Sequence, residues 1–133
     1  MKYYLDTDIC IFYLKGLFPV ILEKIKSLHP DDIKISSMVK AELLYGAEKS
    51  RKSKENIEKV QNFLFPFEIV GFDSHCAEIY AKIRSTLEKN GKTVGPNDLI
   101  IAATVLANQG KLITNNTTEF KRIMNLKTEN WMR

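Results

Sequence analysis

Residues 2–12, KYYLDTDICIF, are the most informative stretch for the fold, because a short and mostly apolar segment there leads directly into an acidic residue and then into a helical pattern. The segment 2–5 is typical of a strand that is buried in a parallel sheet. Asp6 stands at the carboxyl end of this strand, and either Asp6 or Thr7 is suited to cap a helix that ends near Gly16. The stretch therefore predicts one strand–helix unit of an α/β fold.

The same strand-then-helix pattern recurs along the chain. Further strands are predicted at 33–36, 67–72, 111–114 and 126–129. Helical patterns separate them at 20–28, 37–49, 53–64, 74–89, 98–107 and 118–124. We expect Ser37 and Asn97 to cap the helices that they precede or begin. Together these patterns predict one domain over residues 1–133, a three-layer α/β/α fold around a central, mainly parallel sheet of four to five strands.

The composition is that of a globular domain without a membrane segment. Hydrophobic residues make up 44% of the 133 residues and charged residues 27%, which are ordinary proportions for such a domain. No apolar run approaches the roughly 20 residues of a membrane span, and the N-terminus lacks a signal-peptide pattern. Cys10 and Cys76 form no metal-binding motif and lie in apolar segments, so we expect buried free thiols. These features predict a cytoplasmic protein.

The net charge of +4 permits a polyanionic partner. Positive charge is concentrated in two places, which are candidates for contacts with phosphate groups: Lys49, Arg51, Lys52 and Lys54 in the first, and Lys121 and Arg122 in the second. The first run is equally well explained as a solvated connection between two helices.

Three acidic residues lie in otherwise apolar stretches far apart in the chain: Asp6, Glu42 and Asp98. In a parallel sheet, all three segments point toward the carboxyl ends of the strands, where functional groups gather. Carboxylates brought together there would repel one another by about 4 kcal/mol per pair at ~4 Å. A divalent cation with oxygen ligands, such as Mg²⁺ or Mn²⁺, would remove this repulsion.

Each acid also has a purely structural interpretation. Asp6 would cap a helix, and Asp98 would interact favourably with a helix N-terminus. Glu42 is harder to explain in this way, because helical spacing places it on one face with Met38, Ala41 and Tyr45, which we expect to be buried. The three acids together therefore favour a shared site.

Four motifs make the chain resemble the PIN-domain ribonucleases, specifically the VapC-type toxins of bacterial toxin–antitoxin pairs. They are LDT at 5–7, AELLYGAEKS at 41–50, GPNDLIIAA at 95–103 and TNNTTEF at 114–120, and they occur in the order and spacing of that family. The resemblance covers nearly the whole chain. It implies a PIN-like fold and a metal-dependent endoribonuclease activity.

The resemblance also implies the parts of the site. Asp6, Glu42 and Asp98 match the acidic residues that hold one or two Mg²⁺ or Mn²⁺ ions. The family's fourth acidic position falls on Asn116, so either this amide or the nearby Glu119 would complete the site. Thr7, Asp8 and Thr114 would support it through hydrogen bonds and charge.

For partners, the resemblance implies an RNA substrate, with tRNA and the anticodon stem-loop of initiator tRNA as the first candidates. It further implies a VapB-type antitoxin and a homodimer.

Two alternatives belong to other functional classes. Asp6-Thr7-Asp8 also matches the DxD pair of a haloacid-dehalogenase-like phosphatase, although Glu42 would then have no role. The second alternative is a catalytically weak RNA- or protein-binding module, which the missing fourth acid favours.

Overall fold

The computed structural model describes residues 1–132, and residue 133 of the predicted domain lies outside the described residues. The strands are β1 (Tyr3–Leu5), β2 (Ile33–Ser36), β3 (Glu68–Val70), β4 (Lys111–Ile113) and β5 (Lys127–Glu129). The α-helices are α1 (Thr7–Leu14), α2 (Pro19–Ser27), α3 (Ser37–Glu48), α4 (Ser53–Leu64), α5 (Ser74–Lys89), α6 (Pro96–Ala107) and α7 (Thr117–Phe120). A single 3₁₀ turn, Pro30–Asp32, precedes β2.

The strands form one parallel sheet in the order β3-β2-β1-β4-β5. This confirms the predicted three-layer α/β/α fold. The chain moves outward in one direction from β1 to β3, and it then returns to place β4 on the other side of β1. In parallel sheets, the point where the strand order reverses leaves a crevice at the carboxyl ends of the strands. In this sheet the strand order reverses between β1 and β4, so the crevice is expected there.

The core is built from the apolar strand residues and the inward faces of the helices. Ile33, Ile35, Leu112 and Ile113 are completely buried, as the near-continuous apolar strands predicted. Helix α5 packs against α6, and α3 packs against α4 and α1. This packing fixes where α3 and α6 begin, and both of them carry a predicted site acid.

Two predicted helix caps are wrong by one or two residues. The hydroxyl of Ser36, rather than that of Ser37, accepts a hydrogen bond from the Val39 amide at 3.3 Å and so caps α3. Helix α6 begins at Pro96, with Gly95 at the cap position, because proline is well suited to the first turn of a helix. Asn97 therefore lies inside the first turn, and its side chain is free for another contact.

Cys10 and Cys76 are both buried free thiols, as predicted. Across residues 1–132, no helix is both long and apolar enough to cross a bilayer.

Gly110 precedes β4 at a point of very close packing. A Cβ atom at this position would lie 2.4 Å from the Tyr4 ring and 3.2 Å from the Lys2 carbonyl oxygen. Tyr4 is only 3% exposed and has no room to move. We expect Gly110→Ala to lower the free energy of unfolding by about 1–3 kcal/mol, measured by chemical denaturation.

Gly46 in α3 provides the matched control, because a Cβ there would meet nothing within 4 Å. Gly46→Ala should stabilise the helix by about 0.5–1 kcal/mol. Equal effects of the two substitutions would contradict the packing described for Gly110.

Candidate active site

The predicted site acids approach one another at the carboxyl edge of the sheet, beside the crevice. Asp6 directly follows β1, and Asn115 and Asn116 follow β4. Helix α3 leaves the same edge directly after β2 and carries Glu42. Helix α6 leads into the beginning of β4, so its first turn, with Asp98, lies at this edge as well. Asp98 is close enough to Glu42, Asp8 and Glu119 for their charges to affect it.

Asp6 is held by one donor at the start of α1 and by one from the residue that follows β4. Its Oδ1 accepts a hydrogen bond from the Thr7 amide at 2.9 Å, which caps α1 as predicted. Its Oδ2 accepts one from the Thr114 hydroxyl at 2.6 Å. Asp6 is 5% exposed, so these two bonds replace most of its contact with water.

Glu42 is half-buried and bridges three elements. Its Oε1 accepts a hydrogen bond from the Thr7 hydroxyl at 2.6 Å, and its Oε2 accepts one from the side-chain amide of Asn97 at 3.4 Å. The reason given from the sequence for its unusual position is wrong, because Tyr45 is 66% exposed and Ala41 is exposed too. Glu42 is drawn inward by Thr7 and Asn97 rather than by an apolar helix face.

Asp8 contributes an additional charge beside Asp6. Its oxygens accept hydrogen bonds from the Ile9 amide at 2.7 Å and from the Asn115 amide at 3.1 Å. The latter bond ties the first turn of α1 to the loop after β4. The Asn130 side chain in turn donates to Asn115 Oδ1 at 3.1 Å.

Glu119 lies at the position where sequence analysis left a choice between two residues. Its Oε1 accepts a hydrogen bond from the Gly95 amide at 3.0 Å, and its Oε2 accepts one from the Asn116 side chain at 2.8 Å. Asn116 also donates its backbone amide to the Thr114 hydroxyl at 2.9 Å. Asn116 therefore orients Glu119, and Glu119 is the residue that brings a carboxylate near Asp98.

Asp98 differs from these four acids. Among residues 1–132, neither of its oxygens accepts a hydrogen bond from another residue, whereas both oxygens of Asp6, Asp8, Glu42 and Glu119 do. Asp98 is thus the carboxylate that is most available to a ligand.

Burial and the mutual repulsion of the acids raise the pKa values of Asp6 and Asp98. Burial raises the pKa of Asp6 to about 7, with a further increase from the charge of Asp8, while hydrogen bonds from Thr114 and Thr7 act in the opposite direction. Burial also raises the pKa of Asp98 to about 6, and the charges of Glu119, Glu42 and Asp8 add to this increase. Glu119 shows the reverse, since hydrogen bonds from Gly95 and Asn116 lower its pKa. A cation at this edge would relieve the repulsion around Asp6 and Asp98.

The donor set suits a hard divalent cation, because carboxylates, hydroxyls and amide carbonyls supply only oxygen. Within residues 1–132, however, no three acidic, histidine or cysteine side chains converge closely enough to enclose an ion. Asp6, Asp8, Glu42 and Glu119 are turned toward protein donors instead, which leaves Asp98 without one among the described residues.

The two predicted basic clusters lie in different surroundings. Lys49, Arg51, Lys52 and Lys54 are exposed between the end of α3 and the first turn of α4. Lys49, the first of them, lies about 10 Å from Glu42 along the axis of α3. Lys121 and Arg122 are exposed directly after α7, and the charge of Arg122 lowers the pKa of Glu119. The second cluster is therefore the one that adjoins the acids.

Sequence reasoning missed Asn97, Asn115 and Gly95 as parts of the site. Each contacts a predicted acid, and each lies inside or beside a motif that was recognised. A clue was available for Asn97, because Pro96 is a good first helical residue and leaves Asn97 without a capping role.

Comparison with known proteins identifies the family of the chain. The PIN domain family model matches residues 3–126. Ribonuclease VapC2 of Rickettsia felis is 42% identical over 132 residues, which cover 98% of both chains. The tRNA(fMet)-specific endonuclease VapC of Shigella flexneri is 36% identical over 131 residues, again 98% of both chains.

Solved structures give the same result. The chain resembles one in the crystal structure of VapBC2 from Rickettsia felis bound to a promoter DNA fragment, with a TM-score of 0.93, 41% identity and coverage of 98% of this chain and 99% of that one. It also resembles one in the structure of DNA-bound VapBC from Salmonella typhimurium, with a TM-score of 0.93, 36% identity and 98% coverage of both.

Proposed function

The chain belongs to the PIN-domain family, among its VapC ribonucleases. We propose that it is a divalent-metal-dependent endoribonuclease that cuts tRNA. Initiator tRNA is the first candidate substrate, because a relative that is 36% identical over almost its full length is named as specific for tRNA(fMet). The proposal depends mainly on one observation. Asp6, Glu42, Asp98 and Glu119 lie at the same edge of the sheet, and the pKa values of Asp6 and Asp98 are raised there.

Asp6, Glu42 and Asp98 are the residues that would hold one or two Mg²⁺ or Mn²⁺ ions. When bound, such an ion supplies a Lewis acid beside the scissile phosphate. Asp98 is free of protein hydrogen bonds among the described residues and is the natural first ligand. Glu42 and Asp6 would have to exchange a protein donor for the ion, so binding requires their side chains to reorient.

The remaining polar groups position these acids. Thr7 and Thr114 hold Glu42 and Asp6 through their hydroxyls. Asp8 adds negative charge, and Asn116 holds Glu119 toward Asp98. Glu119 thereby takes the place of the fourth acid that the family usually has at position 116.

In the reaction, a water molecule attacks the phosphorus atom and the bond to the 3′-oxygen breaks. Glu42, at the half-exposed rim of the site, accepts the proton that the water loses. The leaving 3′-oxygen takes a proton from solvent. The products carry a 5′-phosphate and a 3′-hydroxyl.

RNA phosphates would contact Lys121 and Arg122 beside the acids, and Lys49, Arg51, Lys52 and Lys54 farther away. A VapB-type antitoxin is proposed as the controlling partner, because the similar solved chains are in VapBC complexes. We also propose a homodimer, as the family resemblance implies.

The family match over residues 3–126 argues against the phosphatase alternative. Glu42, which would have no role in a phosphatase, lies in the acid cluster, which consists of Asp6, Asp8, Glu42, Asp98 and Glu119. The RNA-binding module without catalysis remains distinguishable by experiment.

The direct experiment incubates the purified chain with initiator tRNA and with elongator tRNAs at millimolar Mg²⁺ or Mn²⁺. We expect cuts in the anticodon stem-loop of initiator tRNA, with 5′-phosphate ends that allow direct ligation of an adaptor. Excess EDTA should abolish cleavage. Binding of tRNA without cleavage under either metal would identify a binding module and reject the nuclease.

A further inference from the structure

A second concave site lies beside the acid cluster, between the end of α5 and the segment that follows α7. This pocket has a volume of about 410 Å³, within the range of small-ligand sites. Four of its lining residues are cations: Lys82, Lys92, Lys121 and Arg122. No Asp or Glu is among the described residues that line it. We refer to it below as the basic pocket.

The cations of the basic pocket lack direct ion-pair partners, although Arg122 lies near enough to Glu119 for the two charges to interact. Among residues 1–132, none of the four forms an ion pair with an acidic side chain. Like charges that converge on a concave surface repel one another, and the concavity focuses their field on an approaching anion. The pocket thus presents net positive charge to an approaching anion.

Residues 93–95 and 119–122 lie between the basic pocket and the acid cluster and contact both. Arg122 donates from Nη1 to the Thr93 carbonyl oxygen at 2.7 Å, while the Gly95 amide donates to Glu119 at 3.0 Å. Residues 93–95 and 119–122 are therefore joined at two points, and Asp98 stands only one helical turn beyond Gly95. An RNA strand bound with its scissile phosphate at the acids would have these joined segments beside it.

We propose that the basic pocket binds backbone phosphate of the substrate RNA outside the scissile bond. Lys82 and Lys92 supply charge from one side, and Lys121 and Arg122 supply it from the other. Among the apolar residues that line the pocket, Ile83 is half-buried and Met124 is 71% exposed, so these two offer a surface for the attached nucleoside. This inference rests on the proposed function for its choice of RNA as the polyanion.

The test uses the double variant Lys82→Gln/Lys92→Gln, because neither lysine has a role at the acids and both are exposed. The matched control is Lys24→Gln/Lys26→Gln on α2, which removes two charges from the same net charge of +4 at exposed positions. Both pairs are made in an Asp98→Asn background, so that RNA is bound without being consumed. Affinity for tRNA is measured across a salt series.

We expect the pocket variant to bind tRNA about tenfold more weakly near 0.1 M salt, and the slope of log K against log salt to become shallower by about 1–2. The control should retain the parent affinity and slope. Equal loss in both variants, or no loss in either, would overturn the proposal, as would loss of antitoxin binding with tRNA binding intact. If the chain with Asp98 intact binds tRNA through this pocket but does not cut it, the nuclease activity is rejected and the phosphate-binding role of the pocket is kept.

Discussion

Replacing Asp98 by asparagine is expected to lower the rate of RNA cleavage by about a thousandfold, because it removes the one site carboxylate that is free to meet a cation beside the phosphate. Asparagine has nearly the same size, and Asp98 accepts no hydrogen bond from another residue within 1–132 that the change would break. The fold should therefore persist. The measurement is the cleavage rate of end-labelled tRNA, with circular dichroism to confirm native structure.

Asp31→Asn is the matched control for this change, since Asp31 is an exposed aspartate in the turn before β2. Its cleavage rate should equal that of the parent chain. Calorimetric titration with Mn²⁺ adds a readout that does not depend on activity, and Asp98→Asn should bind the ion more weakly. An Asp98→Asn protein that cuts RNA at the parent rate would exclude Asp98 from the reaction.

The metal-free protein should become less stable as the pH rises from about 5.5 to about 8, by about 2 kcal/mol from Asp6 alone. Burial and the charge of Asp8 raise the pKa of Asp6 from 3.8 to about 7 in the folded chain. Below that value the folded state retains a proton that the unfolded state has lost. Unfolding then releases a proton, so a higher pH favours it. Asp98, whose pKa is raised to about 6, acts in the same direction.

The measurement is urea denaturation in metal-free buffer at several pH values. Asp6→Asn is the control, because asparagine can keep the bond to Thr114 but has no charge to bury, and it should flatten the pH dependence. Acids with lowered pKa values, such as Asp32 and Asp73, titrate below this window. Added Mn²⁺ should stabilise the parent chain more at the higher pH, where the carboxylates are ionised. A stability that rises steadily with pH would contradict the proposed burial of charge at Asp6.

Much of the fold was predictable because local signals agreed with one another. Predicted strand 33–36 coincides with β2, and the helix expected from 53 to 64 is α4. Apolar runs identified the strands, and proline and glycine marked the ends of helices. One wrong cap arose because two good capping candidates adjoin, Ser36 and Ser37, and the other because Pro96 starts α6 ahead of Asn97. Only the three-dimensional path of the chain decides between such neighbours.

The acids of the site were predictable, but the contacts that hold them were not. Thr7 and Glu42 are 35 residues apart in sequence, and Asp6 and Thr114 are 108 apart. Their hydrogen bonds depend on β1 lying between β2 and β4, which no local pattern specifies. Asn97 illustrates the same point, since its bond to Glu42 spans 55 residues.

The bond between Asp6 and Thr114 also bears on when the proposed nuclease activity can arise during synthesis of the protein. A growing polypeptide on the ribosome exposes its first strand long before the strand that completes the crevice has been synthesised. Until residues 114–119 emerge and pair, neither the hydroxyl that steadies Asp6 nor the carboxylate of Glu119 is in place. We therefore expect unfinished translation products to lack the proposed activity, which should arise only near the end of synthesis.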